Sequence, residues 1–287
     1  MSSFSKQHSA TLTEEVLDHI QAENPRTQEI LQHLVHHLHA FIKEVKPTAD
    51  EWFTAIDFLT RTGKKCDEKR QEFILLSDVL GVSMLVDSIE KSVVKEQFPK
   101  ATESTVQGPF HAPSDPATMG DQLAKGPEQE RGAPTIVRGF VQDAATGEPI
   151  ENAKIDVWQS DDLGNYDLQI KDSDLEKNLR ATFTTGDDGR YWFRTIKPAS
   201  YPVPTDGPVG ELLRAMGRHP MRPAHIHFMV DRPGYQRLVT HLFVKGDPYL
   251  ESDAVFGVKD SLIVDFTKNT ETGLLEVDFN ILLVPDR

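Results

Sequence analysis

The sequence has a single cysteine and no long apolar run, and these two absences exclude several classes of protein. One cysteine, Cys66, allows no disulfide within the chain and no metal site built from cysteines, and it is typical of a reducing compartment. No uninterrupted apolar stretch approaches the roughly 20 residues that a membrane helix needs, and the N-terminus lacks the apolar core of a signal peptide. We therefore expect a cytoplasmic protein with no membrane span.

Charge and length restrict the protein further. The 31 basic and 45 acidic residues give a net charge of -14, which repels phosphate backbones, so we expect no nucleic-acid partner. A chain of 287 residues, 38% of them hydrophobic, is long enough for two core-forming units or for one large unit with an extension. Phosphate-binding glycine loops, the G-x-S-x-G elbow and the H-E-x-x-H motif are absent from the sequence, so nucleotide-binding, lipase-like and zinc-protease functions lack their usual motifs.

Apolar residues recur at nearly helical spacing through the first hundred residues. They predict a helix over about 30–45, which Pro47 ends, and the T-x-x-E pattern at 48–51 predicts the capping box of the next helix. A further helix is expected over about 67–89. It is apolar nearly all round except at Asp78, so we expect it to lie in a core or at an interface, a buried core helix being the simpler interpretation.

From about residue 101 the sequence consists of short β-like runs separated by turn signals. A stretch rich in proline, glycine, serine and aspartate, 108–134, predicts a long irregular connection. Short strands with no helical pattern between them indicate an antiparallel sandwich or barrel. The runs are TIVRGFVQ, AKIDVWQ, RATFTT, RYWFRTI, AHIHFMV, RLVTHLFV, SLIVDF and LLEVDFNILL.

Two histidines in AHIHFMV are candidates for metal binding. His225 and His227 lie two residues apart on a predicted strand, so both rings point to the same face of the sheet and can hold one metal ion. Hydrogen-bonded histidines without a metal are an equal alternative from this pattern alone. Tyr166, in a turn-rich segment, and Tyr201, among prolines, do not fit an ordinary core strand, although each alone is better explained by packing. A deprotonated tyrosine is a ligand suited to ferric iron.

These residues together carry a resemblance to a known family. The order Tyr166, Tyr201, Arg222, His225, His227, within GNYD, SYPVP and RPAHIHF, resembles the intradiol ring-cleavage dioxygenases, which open catechols between their two hydroxyls with non-haem ferric iron. The likeness runs from about residue 101 to the end of the chain, and the first hundred residues resemble the dimerisation region of the catechol and hydroxyquinol branch. The implied fold class is α+β, with a helical dimerisation and linker domain over 1–100 and an antiparallel β-sandwich catalytic domain over 101–287.

The resemblance also implies a ligand set and roles. Tyr166, Tyr201, His225 and His227 would hold one Fe(III) per subunit, and Tyr201 would also accept a proton from the substrate. Arg222 would stabilise charge that develops during the reaction, although strand parity alone turns it away from His225 unless the chain bends between them.

Further implications concern partners and one departure from the family. The substrates would be a small aromatic diol or triol and O2, and the chain would form a homodimer through its N-terminal helices, with a phospholipid as an additional ligand at the dimer interface. His241, in VTHLFV, can lie on a strand next to the metal. Catechol-cleaving members carry glutamine there, so the resemblance assigns His241 no role.

The resemblance places nine residues in the substrate pocket, and Asp78 among them bears on the choice of substrate. An ionised side chain inside an apolar helix is costly without a partner, and a third ring hydroxyl can supply one, which favours hydroxyquinol, 1,2,4-trihydroxybenzene, over catechol. Asp78 can instead cap or kink its helix. QGPFHAP and SDAVFGVK also resemble hydroxyquinol-cleaving members. The nine residues are Leu75, Asp78, Val106, Gly108, Pro109, Phe110, Val203, Pro204 and Val255.

Several alternatives remain open at this point. The protein can be a catechol or chlorocatechol dioxygenase, a non-catalytic β-sandwich that binds an aromatic ligand, or a zinc hydrolase, which lacks a clear third ligand. His33 and His37 have the i, i+4 spacing of a metal pair, but they lie off the apolar stripe and are better explained as a solvated or interface face. Cys66 is interpreted as a surface thiol because no base lies beside it in the sequence.

Overall fold

A computed structural model describes residues 3–68, 70–170 and 177–286. The chain forms two compact units, Met1–Thr60 and Arg61–Arg287. Within the described residues, no helix is both long enough and apolar enough to cross a membrane. The helices are α1 (Ser3–Asp18), α2 (Pro25–Val45), α3 (Ala49–Lys65), α4 (Glu72–Val79), α5 (Val82–Gln97), α6 (Pro127–Arg131) and α7 (Pro208–Ala215).

The ends of α2 and α3 show how local sequence sets the helix boundaries. The Asn24 side chain accepts hydrogen bonds from the first backbone N–H groups of α2, and the helix ends at Lys46, which has a left-handed φ of 53°. The predicted capping box is confirmed: Glu51 accepts from the Thr48 N–H at 2.7 Å, and the Thr48 hydroxyl accepts from the Glu51 N–H at 3.2 Å. These caps satisfy backbone groups that a helix end leaves without partners.

The continuous helix expected over 67–89 is wrong, because the chain breaks there into α4 and α5. Gly81 lies between the two with φ 73°, in the left-handed region that favours glycine. The expectation of a buried core helix is also wrong for α5, whose apolar side chains are largely exposed in the single chain. Exposed apolar side chains on α5 include Leu85, Val86 and Ile89, each at least 58% exposed. Of the two predicted locations, an interface is the one that this exposure allows.

Within the described residues twelve strands follow, most of them near the predicted runs. Ten form two five-stranded sheets, in the orders β10-β11-β1-β12 with β4 beside β1, and β3-β2-β7-β8-β9, while β5 and β6 form a short ribbon. The strands are β1 (Pro134–Asp143), β2 (Lys154–Gln159), β3 (Arg180–Thr184), β4 (Arg190–Ile196), β5 (Tyr201–Pro202), β6 (Met221–Arg222), β7 (His225–Asp231), β8 (Leu238–Val244), β9 (Ile263–Val264), β10 (Thr267–Lys268), β11 (Leu275–Asp278) and β12 (Ile281–Leu283).

The sheets are mixed, which corrects the expectation of purely antiparallel pairing. β1 pairs in parallel with β11 and with β12, and β8 pairs in parallel with β9. The last predicted run is split at Phe279, whose N–H donates to the Arg138 carbonyl, so its two halves pair with different parts of β1. At Gly139 a Cβ would lie 1.9 Å from the Phe279 carbonyl oxygen, so the approach requires glycine. Hydrophobic periodicity does not report strand direction, so the sequence could not reveal this topology.

In the part of the β region that the structure describes, α6 and α7 occur where no helical pattern was recognised. α7 is eight residues long and follows Gly207 with Pro208 at its first position, and α6 is a five-residue helix within the long connection before β1. The two large sheets share one hydrophobic core, to which β1, β4, β3 and β7 contribute, among others, Val137, Phe193, Phe183 and Phe228. The domain over 61–287 is therefore a sandwich of two mixed sheets with added helices.

Candidate metal centre and substrate pocket

Three separate segments bring the predicted donor side chains together. His225 and His227 lie two apart on β7, so both rings face the same side of the sheet. Tyr201 lies on β5, and Tyr166 ends the turn before a single turn of 3-10 helix. All four side chains are buried, with Tyr166 and Tyr201 packed in one cluster with Trp158.

Distances between donor atoms fit a shared cation. The Nε2 atoms of His225 and His227 are 3.1 Å apart, and the Tyr166 Oη is 3.0 Å from the His227 Nε2. The His225 Nδ1 lies 2.6 Å from the Pro223 carbonyl, which requires the proton on Nδ1 and leaves Nε2 with its lone pair. Two ligand atoms at right angles and about 2.1 Å from one ion lie roughly 3 Å apart. The arrangement is therefore suited to holding a metal ion.

Burial favours the neutral forms of Tyr166, His225 and His227. Burial raises the pKa of Tyr166 well above its ordinary value, and the neighbouring Tyr201 adds to the shift. Burial lowers the pKa of His225, and the Arg222 charge lowers it further; burial and the nearby histidines lower the pKa of His227. Neutral imidazoles are the form that binds metals. The raised pKa of Tyr166 means that its phenol ionises here only beside a strong cation, which agrees with a highly charged metal.

Arg222 lies beside the donor atoms, because β6 ends at Arg222 and the chain bends at Pro223 before β7 begins. Arg222 and His225 therefore do not lie on one continuous strand, and the alternation of side chains that would place them on opposite faces does not apply. Its Nη1 is 3.4 Å from the Tyr201 Oη and 3.3 Å from the His225 Nε2. Burial alone would lower the pKa of Arg222, but the Asp253 carboxylate and the Tyr201 phenol raise it above its ordinary value. The site thus contains one permanent positive charge next to a donor phenol.

An ion pair that sequence reasoning did not single out supports the Tyr166 turn. The guanidinium of Arg180 is bound to Asp167, and both side chains are buried. The same guanidinium donates to the Phe110 carbonyl at 3.2 Å. Phe110 stacks on Tyr166 with ring centroids 4.5 Å apart. Arg180 therefore ties the turn that carries Tyr166 to the segment that carries Phe110. No sequence signal marked it, because its partners are distant along the chain.

All nine predicted pocket residues line one pocket, which also includes Tyr201 and Arg222. The pocket contains about 310 Å³ of space, part of which is open to solvent. Apolar side chains from α4, from the connection near 106–110 and from the loops after β5 and after β8 form its walls. That these residues bind a substrate stays a prediction, but the structure brings them together around the donor phenol.

Asp78 is the acidic side chain of this pocket. It is 5% exposed, and its Oδ1 has no hydrogen-bond partner among the described residues. Burial raises the pKa of Asp78, while the Ser83 hydroxyl and the Arg222 charge act in the opposite direction. A buried carboxyl oxygen without a partner favours a ligand that donates a hydrogen bond to it.

A third histidine lies with the two on β7. His241, on β8, is directly opposite His227, and together with His225 these residues form a group whose donor atoms lie within 4.8 Å of one another. Trp158, which sequence reasoning also missed, stacks on the His227 ring at 4.6 Å and so fixes its plane by packing. The position of His241 beside the site was expected from strand pairing, whereas nothing in the sequence except the size of its side chain marks Trp158 as part of the site.

The remaining candidates lie outside this site. His33 and His37 are exposed on α2, with ring centroids 6.1 Å apart, as the solvated or interface interpretation expected. Cys66 is half-buried, and its thiol donates to the Thr62 carbonyl at 3.4 Å. It is therefore less accessible than the predicted surface thiol.

Comparison with known proteins gives consistent matches over nearly the whole chain. A family model described as Dioxygenase matches residues 106–285, and one described as Catechol dioxygenase N terminus matches 24–97. The hydroxyquinol 1,2-dioxygenase of Rhizobium sp. (strain MTP-10005) is 51% identical over 86% of this chain and 81% of its own length. The 6-chlorohydroxyquinol 1,2-dioxygenase of Cupriavidus pinatubonensis is 49% identical over 91% of this chain and 92% of its own.

A solved structure agrees with these sequence matches. The hydroxyquinol 1,2-dioxygenase from Pseudomonas putida DLL-E4 superimposes with a TM-score of 0.88 at 44% identity, covering 98% of this chain and all of the other. The likeness includes both the helical region and the sheets. From the donor cluster, the family models and this shared fold, it follows that the chain belongs to the intradiol ring-cleavage dioxygenase family.

Proposed function

We propose that the protein is a hydroxyquinol 1,2-dioxygenase that uses one ferric ion per subunit. It cleaves 1,2,4-trihydroxybenzene between the 1- and 2-hydroxyls and incorporates both atoms of O2, yielding 3-hydroxy-cis,cis-muconate, which tautomerises to maleylacetate. The observation that carries this proposal is the Asp78 carboxyl in the pocket beside the donor phenol. Relatives named for hydroxyquinol or chlorohydroxyquinol substrates, 51% and 49% identical to this chain over the aligned residues, support it.

Four residues would hold the iron. Tyr166, Tyr201, His225 and His227 supply two phenolate oxygens and two neutral imidazoles, a hard and mixed donor set that suits Fe(III). The convergence of lone pairs at 3.0–3.1 Å fits this assignment. When bound, ferric iron would supply Lewis acidity that draws electron density from a catecholic ring and makes that ring reactive toward dioxygen.

The residues around the metal would handle protons and charge. The Tyr201 Oη would accept the proton of one substrate hydroxyl, because the Arg222 guanidinium beside it favours the phenolate form. Arg222 stays protonated at every accessible pH and stabilises negative charge on the ring oxygens. Leu75, Val203 and Val255 hold the ring in place and exclude water from its faces.

Asp78 would select the substrate. The third hydroxyl of hydroxyquinol donates to the unpartnered carboxyl oxygen, whereas catechol leaves that oxygen buried without a partner. Catechol or a chlorocatechol is therefore the alternative substrate, turned over less efficiently. This preference follows from a missing hydrogen bond rather than from a steric block.

The first experiment is the visible spectrum of the purified protein, before and after hydroxyquinol is added without oxygen. We expect a red colour from phenolate bound to ferric iron, and a shift of that band on addition. With ¹⁸O2 admitted, both labelled atoms should appear in the ring-opened product. A protein that stays colourless after supply of ferrous or ferric iron would contradict the metal assignment, and a product with one labelled atom would contradict intradiol cleavage.

We further propose that the chain acts as a homodimer with a phospholipid at the subunit interface. The support is a row of apolar side chains exposed on α2, more than a solvated helix needs: Ile30, Leu31, Leu34, Leu38, Phe41, Ile42 and Val45. A second copy would cover these side chains, and an acyl chain would fill apolar space left at the interface. Under this proposal 1–100 serves assembly and also contributes Leu75 and Asp78 to the pocket, whereas 101–287 carries the iron site. Mass spectrometry of an organic extract tests for the lipid.

A further inference from the structure

His241 occupies a definite position relative to the two proposed ligand histidines. It lies on β8 opposite His227, with ring centroids 4.2 Å apart and planes at 81°. Its ring stacks on His225, with centroids 4.5 Å apart and planes at 26°. It is completely buried. The His241 ring therefore borders the same interior space as the proposed metal.

Neither nitrogen of His241 has a hydrogen-bond partner among the described residues. Both Nδ1 and Nε2 are buried and unpartnered. The Val106 backbone is close enough to act as a weak hydrogen-bond acceptor that raises the pKa of His241 against the effect of burial, although the contact lies outside strict hydrogen-bond geometry. An imidazole always carries at least one N–H, and a buried polar atom is rarely left without a partner. A group inside the site must therefore satisfy it.

The stacked geometry argues against a fifth protein ligand. The lone pair of an imidazole lies in the plane of its ring, and the plane of His241 is nearly parallel to that of His225 and displaced from it. An ion held in the plane of His225 does not lie on the lone-pair direction of His241. The donor atoms of His241 lie within 4.8 Å of those of His225 and His227. A small oxygen-containing molecule next to the ion is therefore within hydrogen-bond reach of the His241 ring.

We propose that a solvent molecule fills a coordination position left open by the four protein ligands, and that His241 is a positioning residue that hydrogen-bonds this molecule. This inference rests on the proposed iron site. It assigns to His241 an interaction that leucine cannot make and that a glutamine amide can replace. The solvent molecule supplies a partner for one of the two buried nitrogens that have none among the described residues.

The test compares His241→Leu, His241→Gln and wild type, each loaded with iron. His219→Leu, a histidine that contacts Ser252 outside the cluster, is the control. Azide, a small anion that competes with bound solvent, serves as the probe, and its dissociation constant is read from the visible band. Iron per chain is measured in the same samples.

We expect His241→Leu to keep its iron, to shift the visible band and to change azide affinity about tenfold, the size of one hydrogen bond to a charged group. His241→Gln should restore the wild-type values to within about threefold, and His219→Leu should match wild type. Loss of iron from both cluster variants would overturn the proposal in favour of direct ligation. An unchanged band and azide affinity in His241→Leu would overturn it in favour of simple packing. A wild-type protein that binds no iron would overturn the proposed function and, with it, this inference.

Discussion

Arg222 and Asp253 form a buried ion pair beside the donor phenol. The Arg222 Nε donates to the Asp253 Oδ1 at 3.1 Å, and both side chains are at most 3% exposed. Asp253 also accepts the N–H groups of Val255 and Gly257. One carboxylate thus fixes both the guanidinium and the loop that carries a pocket residue.

We expect Asp253→Asn to lower kcat and stability together. Loss of one partner leaves a buried charge uncompensated, which costs about 3–5 kcal/mol for a fully broken pair, and less here because asparagine retains one acceptor. Thermal unfolding and steady-state kinetics at equal metal content measure the two effects. The matched control is Asp231→Asn, whose ion pair with Arg237 is exposed. If both variants behave alike, Asp253 does not position Arg222.

Tyr201→Phe removes a proposed ligand oxygen and the proposed proton acceptor without changing the shape of the ring. We expect kcat on hydroxyquinol to fall about 10²–10⁴-fold, the usual contribution of general base catalysis, and the visible band to weaken or move. Tyr235→Phe is the control, because its hydroxyl donates to Asp143 away from the site. Unchanged colour and rate in Tyr201→Phe would remove Tyr201 from the mechanism.

Asp78→Ala tests the basis of substrate choice. The ratio of kcat/KM for hydroxyquinol to that for catechol should fall about 10–100-fold, because a hydrogen bond to a charged or strongly polar group is lost for one substrate only. Asp87→Ala on α5, whose carboxylate pairs with Lys259, is the control. If the ratio is the same in Asp78→Ala as in wild type, Asp78 has a structural role in its helix and does not bind the third hydroxyl of the substrate.

We expect Asp206 to account for part of the loss of folding stability at acid pH. Hydrogen bonds from Arg70 lower the pKa of Asp206 to about 2, although burial opposes the shift, and Lys65 contributes further. A carboxyl whose folded pKa lies below its unfolded value of about 3.8 stabilises the fold above that value, and the contribution is lost as pH falls toward 2. Because Asp206 is 65% exposed, the effect should stay below about 1 kcal/mol.

The measurement is the difference in unfolding free energy between wild type and Asp206→Asn at several pH values. It should be largest near neutral pH and shrink between about pH 4 and pH 2. Asp265→Asn is the comparison variant: Asp265 is also 65% exposed, but its partner Lys245 is more exposed than the partners of Asp206. A difference that grows on acidification would have the wrong sign for this pair.

Leu34→Glu tests the proposed dimer. Leu34 is 58% exposed on α2, so a carboxylate there should leave the folded chain intact but disfavour burial against a second copy. Sedimentation velocity should show wild type as a dimer and the variant shifted to monomer. His36→Glu, on an exposed position of the same helix, should remain dimeric. Monomeric wild type at micromolar concentration would contradict the dimer.

The sequence alone determined the residue types and most of the local structure. The capping box at 48–51, the strand that carries His225 and His227, and the motifs of the family can all be read from neighbouring residues, because helix caps and strand faces depend on short-range periodicity. The family resemblance supplied the donor set and the nine pocket residues, which the structure brings to one place.

Only the tertiary structure decided the relationships between distant segments. The parallel pairing of β1, the break at Gly81, the bend that turns Arg222 toward His225, and the pairing of Arg180 with Asp167 depend on contacts across the fold. The isolation of both His241 nitrogens also depends on what the fold places around them. Periodicity encodes which face a side chain takes, whereas the partner on that face is set by packing and by the burial of charge.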